Sequence, residues 1–307
     1  MIVGGIRVQN KWVTISGLVV AWLLPASVFG ATTPNYYAGT LEDTRWQLQA
    51  SVFACKLYQP LDRVGEAVFM RRAGEEQRFY LAAENRLLAT GPATIEATAP
   101  LWQPFYRSEK VHNLSVSEGD EPVQLDWRDS QALAAQLHQG QQLALTAEAW
   151  HDSSQQVSIA VASTGFAGAF RDFLTCSQQL LPANYDQINR SSIQFLSAAL
   201  ELDDEQKVVL DHLVRYVLAD PHVTAVVIDG HSDGVGLRAD NLVLSQQRAE
   251  AVYNYLIERG LSEELIQVRW HGERYPIASN RTPEGREQNR RVTLRVDRFE
   301  PEHLAVK

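Results

Sequence analysis

The sequence predicts an α+β protein with a β-rich N-terminal domain that contains two helices, followed by a β-α-β-α-β domain whose helices pack on one mixed sheet. Short segments in which apolar and polar residues alternate dominate the first half. After about residue 184 the pattern changes to longer amphipathic helices, and residues 223–228 form an almost entirely β-branched run that is typical of a buried strand. With 307 residues, 45% of them hydrophobic, the chain is long enough to bury two cores.

Residues 1–30 have the pattern of a secretory signal peptide. Arg7 and Lys11 precede a compact apolar run without charge. Val28 and Gly30 then place small residues at the −3 and −1 positions of a cleavage site. We expect this segment to be removed and the mature chain to lie in the periplasm, with an uncleaved anchor as the alternative.

The chain is acidic, which limits its partners. Its formal net charge is −9. Removing a leader that contains two basic residues and no acidic residue makes the mature chain about −11. Such a surface repels phosphate backbones, so we expect no nucleic acid partner. The first half has neither clustered metal ligands nor a phosphate-binding loop, and we expect no metal, no cofactor and no enzymatic activity.

The chain has two cysteines, Cys55 and Cys176. In an oxidising compartment outside the cytoplasm, two such cysteines are expected to form a disulfide. The bond would close a long loop, which in the chain-entropy model contributes roughly 5 kcal/mol of stability. Two buried thiols that never meet are the alternative.

The first half is predicted to consist of short strands interrupted by two helices. Strand patterns occur at residues 46–52, 66–72, 76–83, 93–99, 142–150 and 156–162. Ser130 is the predicted N-cap of a helix that ends at Gly140, and Phe166, Phe170 and Phe173 have helical spacing and are expected in the core. We interpret residues 31–184 as a β-rich docking domain.

The second half, residues 185–307, has the order of a single mixed sheet with covering helices. A capping box formed by Asp203 and Gln206 begins a helix that runs to about residue 218, and a second helix is predicted over residues 244–258. Strands are predicted at residues 193–195, 223–228, 266–270 and 291–296, with a polar loop before the last one.

The most specific motifs lie in this second half. They read Gly230-His231-Ser232-Asp233, then Asn241, Leu244-Ser245 and Arg248-Ala249, and finally Gly285-Arg286 and Asn289-Arg290-Arg291-Val292. This pattern closely resembles the OmpA-like peptidoglycan-binding domain over about the last 120 residues of the chain. The resemblance implies that this half binds peptidoglycan.

By the same resemblance, Asp233 and Arg248 form the ligand pair for the diaminopimelate of the stem peptide. A carboxylate binds the ammonium group of such a zwitterion, and the planar fork of arginine binds its carboxylate. Supporting contacts or pocket walls are expected at Asn241, Arg290, Ser232, Leu244 and Ser245. An internal salt bridge between Asp233 and Arg248 is the alternative interpretation. Many members of the family have Asp where Leu196 follows Phe195 here, so one supporting contact is expected to be missing.

Two other patterns allow more than one interpretation. Residues 269–298 contain eight Arg and four acidic residues, which suits either a solvated face or attraction to anionic stem peptides. Gly230-His-Ser232-Asp-Gly234 also matches the nucleophile elbow of α/β-hydrolases, with His271 and Asp240 as conceivable partners. That elbow needs a helix that starts at the Ser, whereas residues 236–241 are expected to keep this loop open.

The first half resembles the MotY family of flagellar motor proteins. The matching residues are Trp46, Cys55-Lys-Leu57, Gly65-x-Ala67-x-Phe69, Phe173-Leu-x-Cys176 and Leu180-Leu-Pro182. The resemblance implies a non-enzymatic T-ring component that docks on the basal body and on a MotX-like partner. By binding peptidoglycan, this component would hold the stators, including the stator B-subunit, in place against the torque that they generate. The alternative is a general OmpA-like envelope tether with an unrelated binding module in front.

Overall fold

The computed structural model describes residues 35–38, 45–99 and 108–299. The predicted signal peptide lies outside these residues. None of the helices in the described ranges combines the length and the apolar composition that a membrane span requires. The described chain forms two hydrophobic cores, one in each half.

The first half contains two five-stranded sheets that share one core. The first sheet has the order β1 (Asn35–Tyr37), β10 (Asp152–Val161), β9 (Gln142–Ala149), β6 (Leu88–Thr98) and β7 (Glu109–Val116). The second has the order β2 (Gln47–Ala50), β3 (Ala54–Leu61), β4 (Gly65–Arg72), β5 (Arg78–Ala83) and β8 (Val123–Leu125). All neighbours are antiparallel except β1 and β10. Leu57, Phe69 and Ile95, which come from both sheets, are almost fully buried in the shared core.

Two helices pack on this half, α1 (Trp127–His138) and α2 (Phe166–Gln178). The prediction that Ser130 caps α1 is wrong, because Asp126 accepts the hydrogen bond from the N–H of Asp129. Ser130 lies inside the helix, where its buried Oγ accepts a hydrogen bond from Gln77 at 2.7 Å. The predicted aromatic core on α2 is confirmed, since the side chains of Phe166 and Phe173 are fully buried.

A disulfide joins Cys55 on β3 to Cys176 on α2, as the sequence predicted. The two cysteines are 121 positions apart, and both are buried. The bond therefore ties the helix that ends this half to a strand near its start.

The second half is a mixed sheet covered by helices. The strand order is β11 (Arg190–Gln194), β14 (Arg291–Arg298), β12 (Val223–Gly230) and β13 (Ile266–Trp270), and only β12 and β13 are parallel. The helices are α3 (Tyr185–Ile188), α4 (Asp204–Ala219), α5 (Arg238–Glu258) and α6 (Pro283–Asn289), with a 3₁₀ turn at Glu263–Leu265. The predicted capping box of α4 is present, because Asp203 and Gln206 satisfy each other's backbone N–H groups.

Three helices of this half differ from the prediction, and one of them, the short α3, was not predicted at all. Helix α5 begins at Arg238, six residues before the predicted start, because its first turn is polar and exposed and shows no apolar period. Helix α6 occupies the segment that was predicted to be a loop. It is only seven residues long and is capped by Thr282, which accepts a hydrogen bond from the N–H of Gly285.

The turn between β4 and β5 packs against the start of the second half. The side chain of Asn184 caps α3 and also donates to the carbonyl of Ala73 at 3.1 Å and to the carboxylate of Glu75 at 2.7 Å. Gln187 donates to the carbonyl of Gly74 at 3.1 Å. These polar contacts are joined by the rings of Phe53 and Tyr216, whose centroids lie 5.4 Å apart.

Candidate functional site

The candidate site lies where β12 ends. The loop at residues 231–237 carries Asp233 from β12 to α5, and Arg290 lies directly before β14. Gly230 pairs with Val292 in the sheet, so the residues after Gly230 lie opposite the residues before Val292. This register brings Arg290 to Asp233.

Arg248 on α5 is fully buried beneath the segment that follows β11. Its Nε donates to the carbonyl of Ala199 and its Nη2 to the carbonyl of Leu196, both at 3.1 Å. Its guanidinium also stacks on the ring of Phe195, with 5.3 Å between Cζ and the centroid. Nη1 has no hydrogen-bond partner among the described residues. Burial, together with the charge of Arg290, lowers the pKa of Arg248 to about 10.

Asp233 forms an ion pair with Arg290, with 3.1 Å between Oδ2 and Nη1. Arg290 also donates through Nε to the carbonyl of Phe195, and Asp233 accepts the N–H of Val235 through Oδ1. Within the described ranges, no carboxylate lies within ion-pair distance of Arg248. The internal salt bridge between Asp233 and Arg248 is therefore absent, and the site has one carboxylate for two guanidinium groups.

Two asparagines, for which the sequence predicted no role, hold the site loop. Asn280 accepts the N–H of Gly234 at 3.0 Å and is itself bonded by Asn289 at 2.8 Å. Asn289 is fully buried and also accepts the N–H groups of Ile277 and Ala278. Asn289 lies within the Asn-Arg-Arg-Val motif, so the sequence did contain a signal for its role in the site.

The other predicted site residues lie in the neighbourhood of Asp233 and Arg248, but not all of them are directed at these two side chains. Asn241 is buried and donates to the carboxylate of Glu273 at 2.8 Å. Ser245 accepts the N–H of Gly272 at 3.0 Å and so joins α5 to the loop after β13. Leu244 lies half-buried one turn before Arg248.

The geometry at Ser232 does not support hydrolysis. Its Oγ is buried and donates to the carbonyl of Asp233 at 3.1 Å. His271 instead places Nε2 2.7 Å from Asp229. Helix α5 begins six residues after Ser232, so the strand-to-helix elbow is absent. The described part of the chain also brings no three His, Cys, Asp or Glu side chains together in a group that could hold a metal ion.

A histidine pair lies at the start of the site loop. His231 stacks on His271, with 5.1 Å between the ring centroids. Burial, together with the charges of Arg291 and His271, lowers the pKa of His231 to about 4. Burial alone would raise the pKa of Asp229, but hydrogen bonds from Arg269 and His271 lower it. At neutral pH we therefore expect a neutral His231 beside an ionised Asp229.

Two family models match the chain. The MotY N-terminal domain matches residues 37–182, and the OmpA family matches residues 194–290. The two matches follow each other along the chain without overlapping. Each falls on one of the two hydrophobic cores described above.

Individual relatives and solved structures are similar to different shares of the chain. The sodium-type flagellar protein MotY of Vibrio parahaemolyticus is 26% identical over 296 residues, which is 94% of this chain and 99% of that protein. The peptidoglycan-binding protein ArfA of Mycobacterium tuberculosis is 36% identical over 118 residues, 38% of this chain and 29% of that protein. The crystal structure of the peptidoglycan-associated lipoprotein from Burkholderia pseudomallei is 27% identical, covers 34% of this chain and 89% of its own, and has a TM-score of 0.33. By the two family models, the chain contains a MotY N-terminal domain followed by an OmpA-family domain.

Proposed function

We propose that this chain is a non-enzymatic, periplasmic component of the bacterial flagellar motor that anchors to peptidoglycan. Similarity to a flagellar protein along 94% of the chain supports the place in the motor. The OmpA-family domain, with a relative named for peptidoglycan binding, supports the anchor.

The observation that carries the anchoring proposal is the environment of Arg248. Within the described ranges, the fully buried guanidinium has no ion-pair partner, and its Nη1 has no hydrogen-bond partner. Buried charges are expensive unless they are paired, so an anionic ligand is favoured there. The segment at residues 196–200 covers this guanidinium, and a ligand carboxylate must displace that segment to reach it.

The ligand that fits is the zwitterionic end of diaminopimelate in the stem peptide. Its carboxylate binds Arg248, and its ammonium binds the carboxylate of Asp233. Arg290 stays bonded to Asp233 and holds it in position. Pocket walls come from Ser232, Leu244 and Asn241, of which Asn241 acts through Glu273.

The N-terminal domain docks on the basal body, in a T ring shared with a MotX-like partner. From there the chain holds stators, including the stator B-subunit, close to the cell wall. The mechanism is mechanical anchoring, since a weak site bears load when many copies in one ring bind the same wall. The contacts of Gln187 with Gly74 and of Asp186 with Arg72 suit this role, because they join the docking half to the anchoring half.

Co-sedimentation with purified sacculi tests the site. We expect Arg248→Ala and Arg248→Lys each to reduce the pelleted fraction at least tenfold. The alanine removes the guanidinium, and the lysine lacks its planar fork and cannot reach the same carbonyls. Arg215→Ala is the matched control, since it removes one exposed positive charge from α4. A soluble L-Ala-D-Glu-meso-diaminopimelate tripeptide should compete with the sacculi. Pelleting of folded Arg248→Ala at the level of the unaltered chain would exclude this site.

A further inference from the structure

The N-terminal half contains a cavity that the peptidoglycan site does not use. It measures about 370 Å³ and opens at one end of the two sheets. Three connections form its mouth: the turn from β3 to β4, the loop from β5 to β6 and the loop from β7 to β8. Pockets of about 300–1,000 Å³ are the usual size for a bound ligand or a large anchoring side chain.

The floor of this cavity is apolar. Four almost fully buried side chains form it, namely Val64, Leu81, Leu88 and Ile159. Leu81 and Ile159 also line a smaller void deeper in the core, which has only apolar and aromatic side chains around it. A polar group placed on this floor would find no hydrogen-bond partner, so the cavity favours an apolar occupant.

The backbone around the mouth is held by hydrogen bonds. The N–H of Ala83 donates to the carbonyl of Asp120 at 2.8 Å, and the N–H of Glu84 donates to the carbonyl of Val64 at 2.9 Å. Asn85 ties the same loop to the carbonyl of Arg63 at 3.1 Å. A preformed pocket of this kind binds with a small loss of conformational entropy.

The rim of the cavity is negatively charged. Glu84, Glu118 and Asp120 are exposed on it, against one cation, Arg86. Nη2 of Arg86 lies 3.6 Å from Oε1 of Glu118, while Glu84 and Asp120 have no ion pair among the described residues. The rim therefore has an excess of two negative charges. It repels a fatty acid or a phospholipid headgroup and attracts cationic side chains.

We propose that this cavity docks a segment of a partner protein that inserts one bulky apolar side chain flanked by Lys or Arg residues. The apolar residue fills the floor, and the basic residues contact Glu84 and Asp120. Exposed Trp150, whose backbone N–H donates to the carbonyl of Leu87, extends the contact surface beside the mouth. The inference rests on the proposed function only in assuming that this half docks on a protein.

Fluorescence anisotropy with a fluorescein-labelled Lys-Lys-Phe-Lys-Lys peptide and the full oxidised chain tests the proposal. We expect saturable binding that weakens at least fivefold when the Phe of the peptide is replaced by Ala. The double variant Glu84→Lys with Asp120→Lys should weaken binding at least as much. Its matched control is Glu76→Lys with Asp172→Lys, which reverses two exposed charges of the same half that lie outside the cavity.

Three results would overturn the proposal. They are no binding of the Phe peptide, equal binding of its Ala version, and equal binding of a Glu-Glu-Phe-Glu-Glu peptide. Sacculus pelleting of the double variant separates this inference from the peptidoglycan proposal. It should match the unaltered chain, because the cavity and Arg248 lie in different halves.

Discussion

At Arg248, the nitrogens of one guanidinium meet different surroundings. Nε and Nη2 are satisfied by the carbonyls of Ala199 and Leu196, whereas Nη1 has no partner among the described residues. The two carbonyls hold the guanidinium in position, and Nη1 remains available to bind a ligand. This division explains why removal of Arg248 is expected to weaken binding and also to lower stability.

His231 gives the site a predictable response to acid. Its pKa in the folded chain is about 4, below the ordinary value of about 6.5 for an unfolded chain. Between these values only the unfolded chain takes up the proton, so stability falls as the pH drops from 6.5 to 4. We expect the free energy of unfolding to fall by up to about 1.4 kcal/mol per pH unit more than in His231→Gln. Urea titrations at several pH values measure this difference, and parallel curves for the two proteins would contradict it.

The residues of the site were predicted from the motif, but their pairing was not. Asp233, Arg248 and Arg290 do lie around one point. Which arginine takes the carboxylate, however, depends on the register of Gly230 against Val292. That register is a long-range property of the sheet, and a list of motif residues does not contain it.

At the scale of elements, sequence patterns located most of the described strands and helices but missed others, among them β3 and α6. The alternation predicted for β9 is present in the burial of its side chains. The start of α5 was missed because its first turn is polar, and α6 was missed because its seven residues show no apolar period. Short elements of this kind are stabilised by caps and tertiary contacts more than by their own propensity.

The disulfide is the element-scale feature with the largest expected effect on stability. Replacing both Cys55 and Cys176 by Ala releases a loop of 121 positions. We expect the free energy of unfolding to fall by up to about 5 kcal/mol, mainly because the unfolded chain gains entropy. Urea unfolding measures the loss. A reductant should destabilise the unaltered chain but leave the double variant unchanged, and an effect on both would contradict this origin.

The turn at Gly74 joins the two halves. Its packing can be tested by comparing two glycine-to-alanine variants. Gly74 and Gly165 have nearly the same φ, +69° and +73°. A Cβ at Gly74 would lie 2.1 Å from Oε1 of Gln187 and 2.9 Å from the backbone Cα of Ala183, which cannot rotate away, whereas one at Gly165 would meet nothing within 4 Å. Both Ala variants incur about 1–2 kcal/mol of backbone strain. We therefore expect Gly74→Ala to be the less stable of the two variants by thermal unfolding. Equal midpoints would show that the turn accommodates a Cβ at Gly74 without loss.

At the scale of the whole molecule, two halves with separate cores are joined by the hydrogen bonds of Gln187 with Gly74 and of Arg72 with Asp186. This arrangement suits a link between a ring and the cell wall, because a load applied to one half reaches the other through several bonds. The change of pattern near residue 184 predicts a domain boundary there, and this boundary stays a prediction. The contacts across it were not readable from the sequence, because they pair residues that lie 113 and 114 positions apart.

Swimming speed, recorded together with a count of filaments, tests the role in the motor most directly. The strains to compare are a deletion strain without a paralogue and the same strain complemented with the unaltered chain, Arg248→Ala or the control Arg215→Ala. We expect paralysed cells with intact filaments in the deletion strain, full speed with the unaltered chain and the control, and at most partial rescue by Arg248→Ala. Normal swimming in the deletion strain would contradict the flagellar role and leave a general envelope tether.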